Sequence, residues 1–270
     1  MDNRDLHRDT PYYALGAMGL GITFLAFGEL APPWHPVPSW MPWRVPLSYA
    51  SAGLIVGAAI ACLISSWRLL GITALGIIFA LWALALKTAP IMTAPSVPGA
   101  WLGFAEAGSL AIAGLMAASS LSKVGGLGAL VGLRIGYGLC AIVFGICHYV
   151  YADITASMVP DWLPASHFWA YLTGTGHLAA GLALVFGLLA RLAARMLGLM
   201  MGSFALLVHL PDTIANPTGL AAWTVQWIAL ALAGGAWLVG GVLVREGLET
   251  PMIGLLSAYA EAISPKRYGS

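Results

Sequence analysis

The sequence predicts an all-α polytopic membrane protein with eight transmembrane helices arranged as two four-helix bundles. Three observations predict it. Hydrophobic residues make up 60% of the 270 positions and Asp, Glu, Lys and Arg only 9%, with a mean hydropathy of +0.85. A water-soluble fold of this length cannot cover its surface with so few charges. The chain divides into apolar stretches, each near the roughly 20 residues a helix needs to cross about 30 Å of hydrocarbon. And PSWMPWRVPLSY at residues 38–49 returns 122 positions later as PDWLPASHFWAY at residues 160–171, matching at both prolines, the tryptophan and the tyrosine.

In chain order the expected spans are Tyr12 to Leu30, Leu47 to Ser65, Leu69 to Leu86, Gly99 to Ala118, Leu130 to Tyr151, His167 to Leu189, Ala193 to Leu210 and Ala221 to Val244. Helices are required because every backbone N–H and C=O in lipid must be satisfied within its own segment, and the runs are too long for barrel strands. Small residues such as Gly53, Gly57 and Ala61 are expected to let helices approach closely, since lipid supplies no hydrophobic drive between them. The motif match divides the chain into a short N-terminal segment (1–11), two repeats (12–120 and 130–245) and a tail (246–270). An even number of crossings per repeat gives both the same orientation, related by a pseudo-twofold axis along the membrane normal. The tail carries Met252, Ile253, Leu255, Leu256, Tyr259 and Ile263 in partly amphipathic order, a surface helix or a disordered end.

Charge sets the orientation. Arg4, Arg8, Arg68, Lys123, Arg134, Arg191, Arg195, Arg245, Lys266 and Arg267 fall on one side of an eight-span topology and only Arg44 and Lys87 on the other. That bias puts both termini in the cytoplasm and the two proline–tryptophan loops outside. Trp34, Trp40, Trp43, Trp101, Trp162, Trp169, Trp223 and Trp227 gather toward the outer face, mostly as an interfacial belt. A net charge of +1 gives no general affinity for nucleic acid. The three cysteines, Cys62, Cys140 and Cys147, form no Cys-x-x-Cys pair and imply neither a disulfide framework nor a zinc knuckle. Three Asp and two Arg in the first ten residues, with a proline-rich loop after the first apolar run, do not read as a cleavable signal peptide.

From Ile135 to Gly241 the chain has a helix ending in a polar step, the PDWLP turn, and then Tyr171-x-Thr173-Gly174-x-Gly176-His177-x-x-Ala180-Gly181. This resembles the DoxX-like group of four-helix bacterial membrane proteins, and the first half shares the likeness through PSWMP, Tyr49 and Gly53. The resemblance implies a multi-pass protein of the bacterial inner membrane. It also implies a link to quinone-coupled sulfur oxidation or to thiol chemistry, with a membrane or periplasmic redox partner.

Polar side chains inside the spans carry the rest of the argument, because each is expensive in lipid. His177 lies about ten residues into its helix; it is either polar glue bonded to a neighbouring helix or part of a site. His148 and His209 end two other helices at the outer face, and Asp212 stands one step beyond His209, placed to fix its tautomer. Glu106 lies inside the fourth span and Glu29 closes the first; hydrocarbon favours the neutral form of either. Trp169 and Tyr171 are aromatic candidates for lining an apolar pocket beside His177. Cys147 next to His148 reads as a small buried hydrophobe before it reads as a catalytic thiol. No His-x-x-x-His or Glu-x-x-His pair is present, so no metal ligands are assigned and a haem is less favoured than a quinone. The first half offers Glu29 opposite His148, and apolar runs near Leu54 and Ala83 opposite the other two histidines, which points to a site confined to the second half. The sequence therefore favours a redox-linked subunit with an outward-facing site for a quinone or similar ligand. There His177, His148 and Glu106 would handle protons, and His177, His209, Tyr171 and Trp169 would hold the ligand. A non-catalytic scaffold or a small-solute permease is the other class. Oligomeric state is not readable.

Overall fold

A computed structural model describes residues 4–30 and 42–248. Pro38 to Met41 of the first proline–tryptophan motif, Trp34, and the tail beyond Leu248 lie outside them. Every regular element among the described residues is helical: α1 (Arg4–Phe27), α2 (Arg44–Leu63), α3 (Arg68–Leu86), α4 (Thr88–Thr93), α5 (Pro98–Ser122), α6 (Leu127–Val150), α7 (Ala152–Ser157), α8 (Ser166–Phe186), α9 (Ala190–Phe204), α10 (Leu210–Ala215) and α11 (Leu220–Arg245). A π-helical turn, Ala205–His209, joins α9 to α10. Seven segments are long and apolar enough to cross a bilayer: Asp5–Phe27, Arg44–Leu63, Arg68–Thr93, Pro98–Ser122, Leu127–Val150, Ala190–Ala215 and Leu220–Arg245. The chain is a multi-pass membrane protein in contact with lipid. With 21 residues α8 has the length of a span, but His167, Thr173, Thr175 and His177 dilute its apolar character.

The first helix starts at Arg4, well before the expected Tyr12. Leu6, Asp9 and Thr10 are buried, and Arg195 Nη1 reaches Asp9 Oδ2 at 2.6 Å, so this segment is held as helix by packing and charge.

Neighbouring helices form a ring. It runs α1, α2, α3, α5, α6, α8, α9, α11 and back to α1, and α5 and α11 also touch across its middle. The expected halves are therefore not closed off from each other: α1 closes against α11, and α6 against α5. Glycine decides the first of these closures. A Cβ at Gly16 would stand 2.3 Å from the Ala231 backbone nitrogen, and one at Gly234 would stand 2.2 Å from that of Tyr13, so α1 and α11 meet backbone to backbone. Gly138 and Gly181 do the same for α6 and α8. Gly53 and Gly57, expected at such contacts, face open space; they lie on the side of α2 turned away from its neighbours.

The α5–α11 contact pinches the ring into two compartments. Between α1, α2, α3, α5 and α11 the space is filled by Tyr13, Phe24, Phe79 and Trp82, with ring centres 5.6 Å apart for Phe79 and Trp82 and 6.2 Å for Phe24 and Trp82. The Tyr13 hydroxyl donates to the Leu110 carbonyl at 2.8 Å, which meets its hydrogen-bonding need inside this plug. The compartment between α5, α6, α8, α9 and α11 is hollow. As the shared inner wall, α11 has 78% of its apolar window buried, against 28% for the peripheral Ala190–Ala215 span.

One end of the ring is basic. Asp5 and Asp9 on α1 hold Arg8, Arg191 and Arg195. Arg68 meets His7. The Ser120 hydroxyl donates to Glu246, and fully buried Arg134 donates from Nη1 to the Leu248 carbonyl at 3.0 Å. Arg8, Arg68, Arg134, Arg191 and Arg195, all assigned to one side by sequence, thus gather at one end among the described residues.

Candidate ligand cavity

The hollow compartment holds a cavity of about 970 Å³ near the opposite end. Its mouth is roofed by α7 and by Val159, Pro160, Trp162 and Leu163 of the PDWLP turn. His167 Nε2 and Asp153 Oδ1, 3.0 Å apart, tie the roof to α8, and the Tyr151 hydroxyl accepts the Gly99 N–H from the start of α5. The turn is therefore wall as well as architecture. Toward the basic end the same helices close on buried Tyr137, Leu184, Leu197 and Leu238.

Four side chains singled out by sequence line this one cavity, each from a different helical segment: Glu106 (α5), His148 (α6), His177 (α8) and His209 (the π turn). His177 is fully buried, and among the described residues neither Nδ1 nor Nε2 has a hydrogen-bond partner. Its ring centre lies 4.9 Å from that of His148, 5.5 Å from Phe144 and 6.2 Å from Phe204. His148 Nδ1 lies 2.8 Å from the Phe144 carbonyl oxygen one turn back. A carbonyl only accepts, so Nδ1 carries the proton and Nε2 is the acceptor of the neutral ring. Oε2 of Glu106 is buried without a hydrogen-bond partner among the described residues.

Trp169 lines the cavity, its indole N–H donating to the Pro164 carbonyl at 2.9 Å. Tyr171 does not. Two residues further along a helix is about 200° of rotation, which puts Tyr171 on the outer face, exposed and 5.4 Å from Tyr149. The pairing expected between His209 and Asp212 is replaced by a bond from Asn216 Nδ2 to Asp212 Oδ1 at 2.8 Å. Glu29 lies at the end of α1 within 3.6 Å of Arg44, away from the cavity. Cys147 lines the cavity as a buried free thiol; Cys62 and Cys140 are buried and free as well.

The π turn explains the placement of His209. Pro211 has no N–H and its ring would press on the carbonyl four residues back. The chain widens just before it, with the Leu210 N–H reaching the Ala205 carbonyl. One extra residue in a turn rotates the next stretch of helix by about 100°, and such turns are frequent at functional sites.

Lys87 adjoins Glu106 from outside the cavity, though its sequence position alone suggests an ordinary loop charge. It is buried, runs beside Gly103 one turn before Glu106, and shares with Glu106 a second space of about 20 Å³ on the plugged side of α5. A signal for it exists in the 122-residue spacing of the two proline–tryptophan motifs. Trp101 donates to the Pro95 carbonyl and Trp223 to that of Pro217, both at 2.9 Å and 122 positions apart. The same offset sets buried Lys87 against His209 and fully buried Ile55 against His177, so one of the two supposedly bare positions of the first half is polar.

Among the described residues no three His, Cys, Asp or Glu side chains cluster closely enough to hold a metal ion. His148 and His177 stand too close to be the two trans axial ligands of a haem: nitrogens about 2.0 Å from the metal on opposite sides would keep the ring centres well beyond 4.9 Å.

The DoxX family model matches residues 110–210, from within α5 to just past the π turn and so across three walls of the cavity. A DoxX domain is thus found in this chain over that range. No curated protein and no solved structure matches.

Proposed function

We propose that this protein is a redox-linked membrane subunit of the DoxX-like kind whose hollow compartment binds a quinone or another apolar ligand. His177, His148, His209 and Glu106 orient the ligand and pass its protons. One observation carries the reading: four polar side chains from separate helices line one cavity, and the most deeply buried of them, His177, has both nitrogens unbonded. An imidazole left so in an apolar interior is destabilising by roughly 1–3 kcal/mol, a cost that a polar headgroup in the cavity offsets. A quinone when bound supplies the two-electron, two-proton chemistry; the protein supplies an apolar slot and proton-exchanging groups at one depth.

The same proposal takes α8 as the eighth span and residues 12–120 and 130–245 as a tandem duplication. What supports the duplication is the shared offset of the two Trp–Pro bonds and the matching neighbour relations, with α1, α2, α3 and α5 repeated by α6, α8, α9 and α11. The repeats interlock through α1–α11 and α5–α6 rather than standing side by side. The basic end faces the cytoplasm of a bacterial inner membrane, and the cavity faces outward toward a membrane or periplasmic redox partner.

Quinone retained by the protein purified from membranes, extracted and quantified, tests the reading. Wild type is expected to carry it and His177→Ala to lose at least tenfold. Equal content in both, or none in wild type after adding excess quinone, overturns it, the second result leaving a scaffold or permease.

A further inference from the structure

The hydrogen-bond capacity of the cavity wall is lopsided. Each hydroxyl of its Ser and Thr residues donates to its own helix: Ser203 to the Met200 carbonyl at 2.7 Å, Thr173 to that of Trp169 at 2.8 Å, Thr155 to that of Tyr151 at 3.1 Å. The Trp169 indole N–H is taken by Pro164, and the His148 Nδ1–H by Phe144. What these five groups leave for a ligand is acceptor capacity, namely the lone pairs of three hydroxyls and Nε2 of His148. Neutral Glu106 adds one accepting oxygen and one O–H donor, with Oε2 buried and unbonded among the described residues. Against these acceptors, the wall keeps that O–H and the ring N–H of neutral His177, and His209, Tyr151 and Trp162 add further donors.

A buried acceptor facing another acceptor leaves both unsatisfied and repelling, whereas a hydroxyl donor satisfies it. We propose that the cavity selects ligands that donate: an apolar phenol or quinol, bound with a ring hydroxyl between His148 and His177, in preference to the same ring bearing carbonyls. This rests on the reading that the cavity is a ligand site and narrows its ligand to the hydroxyl form. His148 Nε2 accepts from the ring hydroxyl. The His177 N–H donates to the oxygen of that hydroxyl, and the remaining His177 nitrogen accepts from a second donor, a further ring hydroxyl or a water. At this histidine pair a carbonyl would take the His177 N–H and set its oxygen against His148 Nε2, acceptor to acceptor. The backbone of α6 fixes this preference, because the Phe144 carbonyl holds the His148 tautomer.

The test uses the full-length protein in lipid nanodiscs under anaerobic, reducing conditions. Three probes share one ring and tail: a decyl-substituted benzoquinol, the matching benzoquinone measured without reductant, and the quinol's dimethyl ether, which accepts but cannot donate. Equilibrium dialysis reads their affinities. The quinol is expected to bind at least tenfold tighter than both others, and His148→Phe, which keeps a ring beside Phe204 but removes the acceptor, is expected to lower that ratio toward one. If the quinone or the ether binds wild type as tightly as the quinol, the donor preference is wrong while the cavity remains a ligand site. If none of the three binds, the ligand-site reading falls with it. The wild-type comparison decides the matter even if the variant does not fold.

Discussion

At the scale of single residues, the cavity places its costs where function would need them. His177 is fully buried and unbonded, and the position 122 residues earlier is Ile55, equally buried. Replacing an unsatisfied polar group by an apolar one of similar size is nearly neutral or stabilising. His177→Ile is therefore expected to leave the thermal midpoint unchanged or to raise it, while abolishing ligand retention; a clear fall in the midpoint would return His177 to a structural role. Asp9 is the opposite case. It is buried in a close pair with Arg195, and removing one partner strands the other charge. Asp9→Ala is expected to cost roughly 3–5 kcal/mol, seen as loss of folded protein in a detergent unfolding titration. His177, His148, His209 and Glu106 are legible in the sequence because a polar side chain in a spanning segment is conspicuous by its cost. Lys87 is not, since it stands at a span's end, where a charge is ordinary. The hydrogen-bond directions of Ser203, Thr173 and Thr155 cannot be read without a backbone.

Among the helices, length and apolarity fix where spans lie, and small residues fix which spans touch. Composition shows the first directly. The second depends on which face a glycine occupies: Gly16 and Gly234 lie in a seam, whereas Gly53 and Gly57, in an equally glycine-rich helix, do not. A Gly16→Val substitution is expected to part α1 from α11 and to reduce folded yield by fluorescence-detection size exclusion, whereas Gly53→Val is expected to pass unnoticed. The π turn makes a finer prediction. Pro211→Ala restores a donor and removes the clash that widens the helix, so His209 should rotate out of the wall. Ligand affinity is expected to fall several-fold with little change in stability, measured on the same preparation.

For the whole molecule, the ring means that neither half has a complete set of neighbours. Residues 1–125 or 126–270 expressed alone are expected to aggregate or to pair with a second copy, and co-expression of the two pieces to restore a monodisperse particle, as read by light scattering. Independent folding of either piece would count against the closures of α1 on α11 and α6 on α5. The aromatic plug has a mechanical consequence as well. Behind α5 and α11 stands a filled compartment that does not compress, so two walls of the cavity are fixed. The walls formed by α8 and α9 have no further helix packed behind them among the described residues. The site is thus a vice with one fixed jaw, and with α8 as the proposed eighth span its movable jaw would lean on the bilayer. The width offered to a ligand should answer to the lateral pressure of the acyl chains: affinity is expected to change between loosely and tightly packed nanodiscs and to ignore ionic strength.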